Sequence, residues 1–140
     1  MKTVAKIFLS IGLTLGVGSA YADVVVVVSA KSSVQGLTSE QVSQIFLSKT
    51  NTFPDGTSAV PLDQADSSTA RNTFYTKIAG KDAVQLKAYR SKLIFSGKGR
   101  PPQELAGNNE VKKAVASDPS AIGYIDKNAV DNTVKVVLSP

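Results

Sequence analysis

Three consecutive hydroxyl residues, Ser67, Ser68 and Thr69, with Arg71 two positions further on, are the side chains of this sequence best suited to chemistry. Hydroxyls and a guanidinium are hydrogen-bond donors, and grouped together they suit an anion. Their surroundings favour the same use. Residues 58–62 read as a short strand, and Ala70, Phe74 and Ile78 then recur at four-residue spacing, as one apolar face of a helix does. Asp66 falls at the N-cap of that helix, where its carboxylate accepts from a first-turn N–H. The remaining first-turn N–H groups of Ser67, Ser68 and Thr69 would point out of the helix start, where the helix dipole favours negative charge. The same residues also make an ordinary capped helix, so a ligand reading and a capping reading both stand.

Other chemistries are cut away by what is absent. The sequence has neither cysteine nor histidine. Cys–His and Ser–His–Asp arrangements are therefore impossible, as is a thiolate or imidazole zinc site. No motif supports a Ser–Lys pair or a carboxylate dyad, and no cofactor is implied; the expectation is a protein that is not an enzyme. Sixteen basic against eleven acidic residues give a net charge of +5. That is mild and scattered, and does not suggest a nucleic-acid partner.

Residues 1–22 carry Lys2 and Lys6, an apolar run from Ile7 to Val17, and Ala20-Tyr21-Ala22 at the end. This is the pattern of a signal peptide cleaved after Ala22. The expected mature chain is a single domain, residues 23–140, without a transmembrane segment. Periplasmic residence is the expected location, with full secretion as the alternative.

The elements that must position the donors follow in order. Residues 24–28 are five valines, which suit a strand buried on both faces. Thr38 and Gln41 form a capping box, with Leu37 and Val42 as a hydrophobic staple and Val42, Ile45 and Phe46 as the helical stripe behind it. Asp82 and Gln85 open a third helix with Leu86, Tyr89, Leu93 and Ile94 on one face. Residues 97–102 make a stiff basic loop, in which Lys98 and Arg100 stand beside Pro101-Pro102. Asn108 or Asn109 caps a fourth helix with Val111, Ala114 and Val115, and strands are expected at 122–125 and 133–138. The order β, α, β, α, α, α, β, β predicts an α/β fold with a mixed central sheet flanked by helices. Phe74, Tyr89 and Tyr124 are expected in the core and Tyr75 at the surface.

Several of these segments resemble the phosphate-binding proteins of phosphate ABC transporters. Ile45-Phe46-Leu47-Ser48-Lys49 is similar to that family's IF-x-G-K segment, and Asp66-Ser67-Ser68-Thr69 falls where it has a D-G-S-G-T anion loop. Gly107-Asn108-Asn109-Glu110-Val111 resembles its G-N-x-G-V helix start. Ser120-Ala121-Ile122-Gly123-Tyr124-Ile125 resembles its G-A-I-G-Y-V strand. The resemblance, running from about residue 37 to 126, implies one lobe of a type II periplasmic binding protein. It also implies inorganic phosphate or a similar small anion as ligand, held by Ser67, Ser68, Thr69 and Arg71.

Two departures bear on this. The transport receptors have two lobes and close on phosphate between them, whereas this chain has length for one. Aligning the family's R-x-D-G-S-G-T places Asp63 at the arginine, Ala65 at the aspartate and Ser68 at the second glycine. Asp63 would oppose an anion, so Asp63→Asn or Asp63→Arg is expected to strengthen binding, and Thr69→Ala or Arg71→Ala to weaken it. Arg71 could replace the lost cation, or pair with Asp63 or Asp66. Two functions follow: a weak phosphate-binding module, or a ligand-free module docking onto a transporter, porin, sensor or surface assembly.

Overall fold

The computed structural model describes residues 23–140; the expected signal peptide and its cleavage site lie outside the described residues. β1 (Val24–Ser29) is buried along its whole length. It lies inside a five-stranded sheet, between β4 (Ala121–Asp126) and β5 (Val134–Leu138), antiparallel to both. β2 (Val60–Gln64) runs parallel to β4 on one side and to β3 (Gln103–Leu105) on the other, giving the order β3-β2-β4-β1-β5. The sheet is mixed, as expected. The valines divide by parity: Val24, Val26 and Val28 enter one core, and Val25 and Val27 the other. Both faces are therefore covered, which is why a continuous apolar run rather than an alternating one suits this strand.

α1 (Ser39–Phe46) and α2 (Thr69–Ala79) share the first face, with Phe46, Phe74, Tyr75 and Tyr124 as its aromatic centre. The rings of Phe74 and Tyr124 stack at 4.1 Å, and Phe46 meets Phe74 edge-on at 4.8 Å. The capping box that opens α1 is formed in both directions, and Leu37 and Val42 are both buried. α2 ends on Gly80 at φ 61°, a left-handed position where glycine avoids a Cβ penalty.

α4 (Asn108–Ser117) covers the second face through Val111 and Val115. Its N-cap is Gly107, not Asn108 or Asn109 as expected, and Asn108 is already the first helical residue. α4 sits so close to β4 that a Cβ at Gly123 would lie 2.4 Å from Val111 Cγ1 and 3.2 Å from Val115 Cγ2. Gly123→Ala is accordingly expected to cost about 1–3 kcal/mol by overpacking. Urea denaturation reads this directly, and Val111→Ala added to the same chain should recover part of the loss.

Two features differ from expectation. β3 is a strand where the sequence suggests only loop; its three residues follow two prolines and pair solely with β2. α3 (Ala83–Ser96) does not bury the expected stripe. Leu86 is buried, Tyr89 and Leu93 are partly covered, and Ile94 and Phe95 are 59% and 92% exposed. The helix lies at the margin of the fold, so only the side nearest α2 and β2 reaches the core.

Candidate functional site

The hydroxyl run lies in the loop that leaves the C-terminal end of β2 and enters α2. In open α/β sheets the crevice beyond the strands' C-terminal ends is the usual ligand position. Helix α2 begins at Thr69, and its N-cap is Ser68, not Asp66. A tight turn explains the shift: the Ser68 N–H donates to Ala65 O at 2.9 Å, so the chain has not yet turned helical at Asp66. Ser68 Oγ accepts from the Arg71 N–H at 3.4 Å and donates to Gln64 Oε1 at 2.6 Å. Asp66 points outward, 87% exposed, and pairs with Arg71 Nη2 at 2.8 Å.

Of the four expected ligand residues, Ser67 and Thr69 are exposed, Ser68 is half-buried and Arg71 is buried. The first-turn N–H groups of Thr69 and Ala70 precede the helix's own hydrogen bonds, with Thr69 exposed and Ala70 buried. Ser68 has spent its N–H and hydroxyl inside the chain. Arg71 is held on several sides: Nη1 donates to Gln64 O at 2.9 Å and to Glu104 Oε1 at 2.7 Å, while Nη2 meets Asp66. Burial lowers the Arg71 pKa, but Glu104, Asp63 and Asp66 outweigh it and raise it above the usual arginine value.

Asp63 is not at the anion loop's surface. Its carboxylate is fully buried and accepts from the hydroxyls of Tyr75 (2.7 Å) and Tyr124, and from Arg90 Nη2 at 2.5 Å. Tyr75, expected at the surface, is 1% exposed because its hydroxyl closes this hub. Burial, reinforced by Asp63, pushes the pKa of both Tyr75 and Tyr124 well above the ordinary tyrosine value. The sequence reading missed Arg90 and Glu104. Arg90 follows Leu86 by one helical turn on an otherwise apolar face, which is the one signal that could have marked it.

A second chain of hydrogen bonds ties the loop to α4. Gln64 Nε2 donates to Asn108 Oδ1 (3.0 Å) and to Tyr124 O (2.8 Å), and Asn108 Nδ2 donates to Asp126 Oδ2 at 2.7 Å. The loop 65–68, the start of α2 and the start of α4 thus form one polar rim at the β2 end of the sheet.

A mixed sheet clad on both faces, with a hydroxyl-rich loop at the C-terminal end of a parallel strand, is the architecture of one lobe of a substrate-binding protein. Solved structures bear this out for the fold. A protein assigned as a phosphate ABC transporter substrate-binding protein from Clostridium perfringens, solved with phosphate bound, matches 82% of this chain at 22% identity and TM-score 0.65. An ABC-type phosphate transport receptor from Vibrio cholerae matches the same share at 18% identity and TM-score 0.65. PstS from Borrelia burgdorferi matches at 13% identity and TM-score 0.61. The chain spans less than half the length of these structures: 44%, 45% and 46% of each. No protein-family model matches the chain. At these identities the likeness carries the fold and not the ligand.

Proposed function

We propose that this protein is a non-catalytic, periplasmic binding module for a small anion, phosphate first, with its site at Ser67, Ser68, Thr69 and Arg71. The observation that carries this reading is the exposed start of α2. Exposed Thr69 opens the helix two residues before Arg71, whose outer nitrogen is closed by one exposed carboxylate, Asp66. An incoming anion can displace a surface carboxylate, since a surface ion pair contributes little. Arg71's bonds to Glu104 and Gln64 hold the guanidinium in place meanwhile. With one lobe the ion stays partly hydrated, and the dissociation constant is expected in the order of 0.1–10 mM. The fold shared with phosphate receptors supports phosphate as the first ligand to try, and a membrane transporter or sensor as the partner class.

Phosphate titration followed by NMR amide shifts tests the site. Saturable shifts confined to residues 66–71 are expected. Asp66→Asn removes the competing carboxylate and should tighten binding about threefold to tenfold, at most ~1.4 kcal/mol. Thr69→Ala and Arg71→Ala should weaken it. No saturable shift in the parent or in Asp66→Asn would leave the second reading, a ligand-free docking module. That reading has its own support in the carboxylates of Asp66 and Glu104, which already occupy Arg71 where an anion would bind.

A further inference from the structure

A recess lined by cations and by no carboxylate lies at the other end of the sheet from the anion loop. It is a groove of about 510 Å³ between the C-terminal turn of α1 and the 98–103 segment, reaching the N-terminal ends of β2 and β3. Lys49, Lys98 and Arg100 line it, all three exposed, and no aspartate or glutamate does. None of the three is ion-paired with a described carboxylate. The groove between α2 and α3 differs: Asp66, Asp82 and Glu104 stand in its lining, and Asp66 and Glu104 pair with its arginines. We propose that the groove of Lys49, Lys98 and Arg100 binds an acidic, extended segment of a partner protein.

Its walls are preformed. Ser48 Oγ donates to Arg100 O at 2.6 Å, fastening the basic loop to the end of α1. A Cβ at Gly99 would lie 3.3 Å from both Leu93 Cδ1 and Ser48 Cβ, so the loop is closely seated there. Pro101 and Pro102 stiffen the exit, and little ordering entropy is left to lose on binding. Ser48 itself has φ 61°, the sole positive value of a non-glycine among the described residues. Strain of this kind persists where surrounding structure fixes it, here the bond to Arg100.

Size and shape select the occupant. At ~30 Å³ per water the groove holds roughly seventeen waters, several times the space of one small oxyanion. A flat lipid surface would touch the rim cations and leave the recess empty. A chain carrying several carboxylates fills the length and meets all three cations. Complementary charge of this sort chiefly sets partner choice and encounter rate. The groove is separate from the anion loop, and neither assignment depends on the other.

The test is an NMR titration of the protein with hexaglutamate peptide at low salt. Saturable shifts are expected at residues 48–51 and 98–103. The triple variant Lys49→Gln/Lys98→Gln/Arg100→Gln should weaken binding about tenfold, equivalent to ~1.4 kcal/mol. Lys87→Gln/Lys92→Gln, two α3 cations outside this groove, should leave it unchanged. All three groove side chains are exposed, so the triple variant should keep the parent's melting temperature. If it melts early, Lys98→Gln alone carries the reading, at about twofold. Equal weakening by the Lys87→Gln/Lys92→Gln pair and by the triple variant would overturn the proposal in favour of diffuse attraction. Inorganic phosphate shifting the same groove residues to saturation would overturn it in favour of a small-anion site. Capture by phosphatidylglycerol vesicles that hexaglutamate does not displace would overturn it in favour of a lipid surface. Phosphate shifts at 66–71 report on the anion loop alone, so the two outcomes are separable.

Discussion

Asp63→Ala should destabilise the fold by about 3–5 kcal/mol, the cost of breaking a buried ion pair from one side. Asp63 is fully buried, and its carboxylate is the shared acceptor for Tyr75, Tyr124 and Arg90. Removing it takes away the acceptor for two buried hydroxyl protons, although the Tyr75 and Tyr124 oxygens still accept from Arg90 and Gln64. It also leaves Arg90, itself 8% exposed, with Glu104 at 3.7 Å as the remaining carboxylate. Thermal melting followed by circular dichroism should fall by roughly 10–20 °C for a domain of this size. A drop of a degree or two would mean that the pair is not desolvated. The double variant Asp63→Ala/Arg90→Met removes the stranded charge and should recover much of the loss, because an apolar replacement of a whole buried pair is often neutral. The sequence comparison makes Asp63 an obstacle to phosphate and Asp63→Arg a gain. The structure redirects that expectation: an arginine there would face Arg90 at zero exposure and unfold the chain before it could serve a ligand.

The fold was legible where the signal is local. Five valines in a row have no polar face to offer water, so a strand covered on both sides is the one placement that suits them. Thr38 with Gln41, and Asp82 with Gln85, mark their helix starts because each pair satisfies two backbone groups within four residues. The start of α2 was less legible: Asp66, Ser67, Ser68 and Thr69 are all capable caps. The choice of Ser68 depends on Gln64 receiving its hydroxyl and on Arg71 drawing Asp66 outward. β3 was invisible because three residues after two prolines carry no period, and their strand character comes wholly from pairing with β2. The Asp63 hub was hidden for a similar reason. Its partners stand 12, 27 and 61 residues away, at separations no spacing rule reaches.

Ser48 shows a departure that the sequence displays and only the backbone explains. It stands where the resembling IF-x-G-K segment carries glycine, and it takes the left-handed φ that glycine would take freely. The hydroxyl supplies what a glycine could not, a bond to Arg100 O across 52 residues. Local strain at the end of α1 is thus coupled to the position of the basic loop.

Val26→Asp is expected to be the more damaging change. Val26 has no exposed surface and belongs to the face shared by α1 and α2. Its strand is interior, paired opposite Tyr124 on one side and Leu138 on the other, so the backbone cannot swing the new side chain to solvent without breaking both ladders. No described ion pair lies in this apolar cluster: the nearest carboxylate hub already has Arg90 as its cation. A charge left unpaired there either stays ionised at a cost of several kcal/mol or takes up a proton and still buries an unsatisfied carboxyl group. The expected loss is more than about 4 kcal/mol, a large part of a typical domain's total stability. Val26→Thr, nearly the same shape with one hydroxyl, should cost about 1–3 kcal/mol and remain folded. Comparing their urea midpoints separates the charge from the polarity. A folded Val26→Asp chain with the parent's melting temperature would place β1 at the surface and overturn the two-faced sheet.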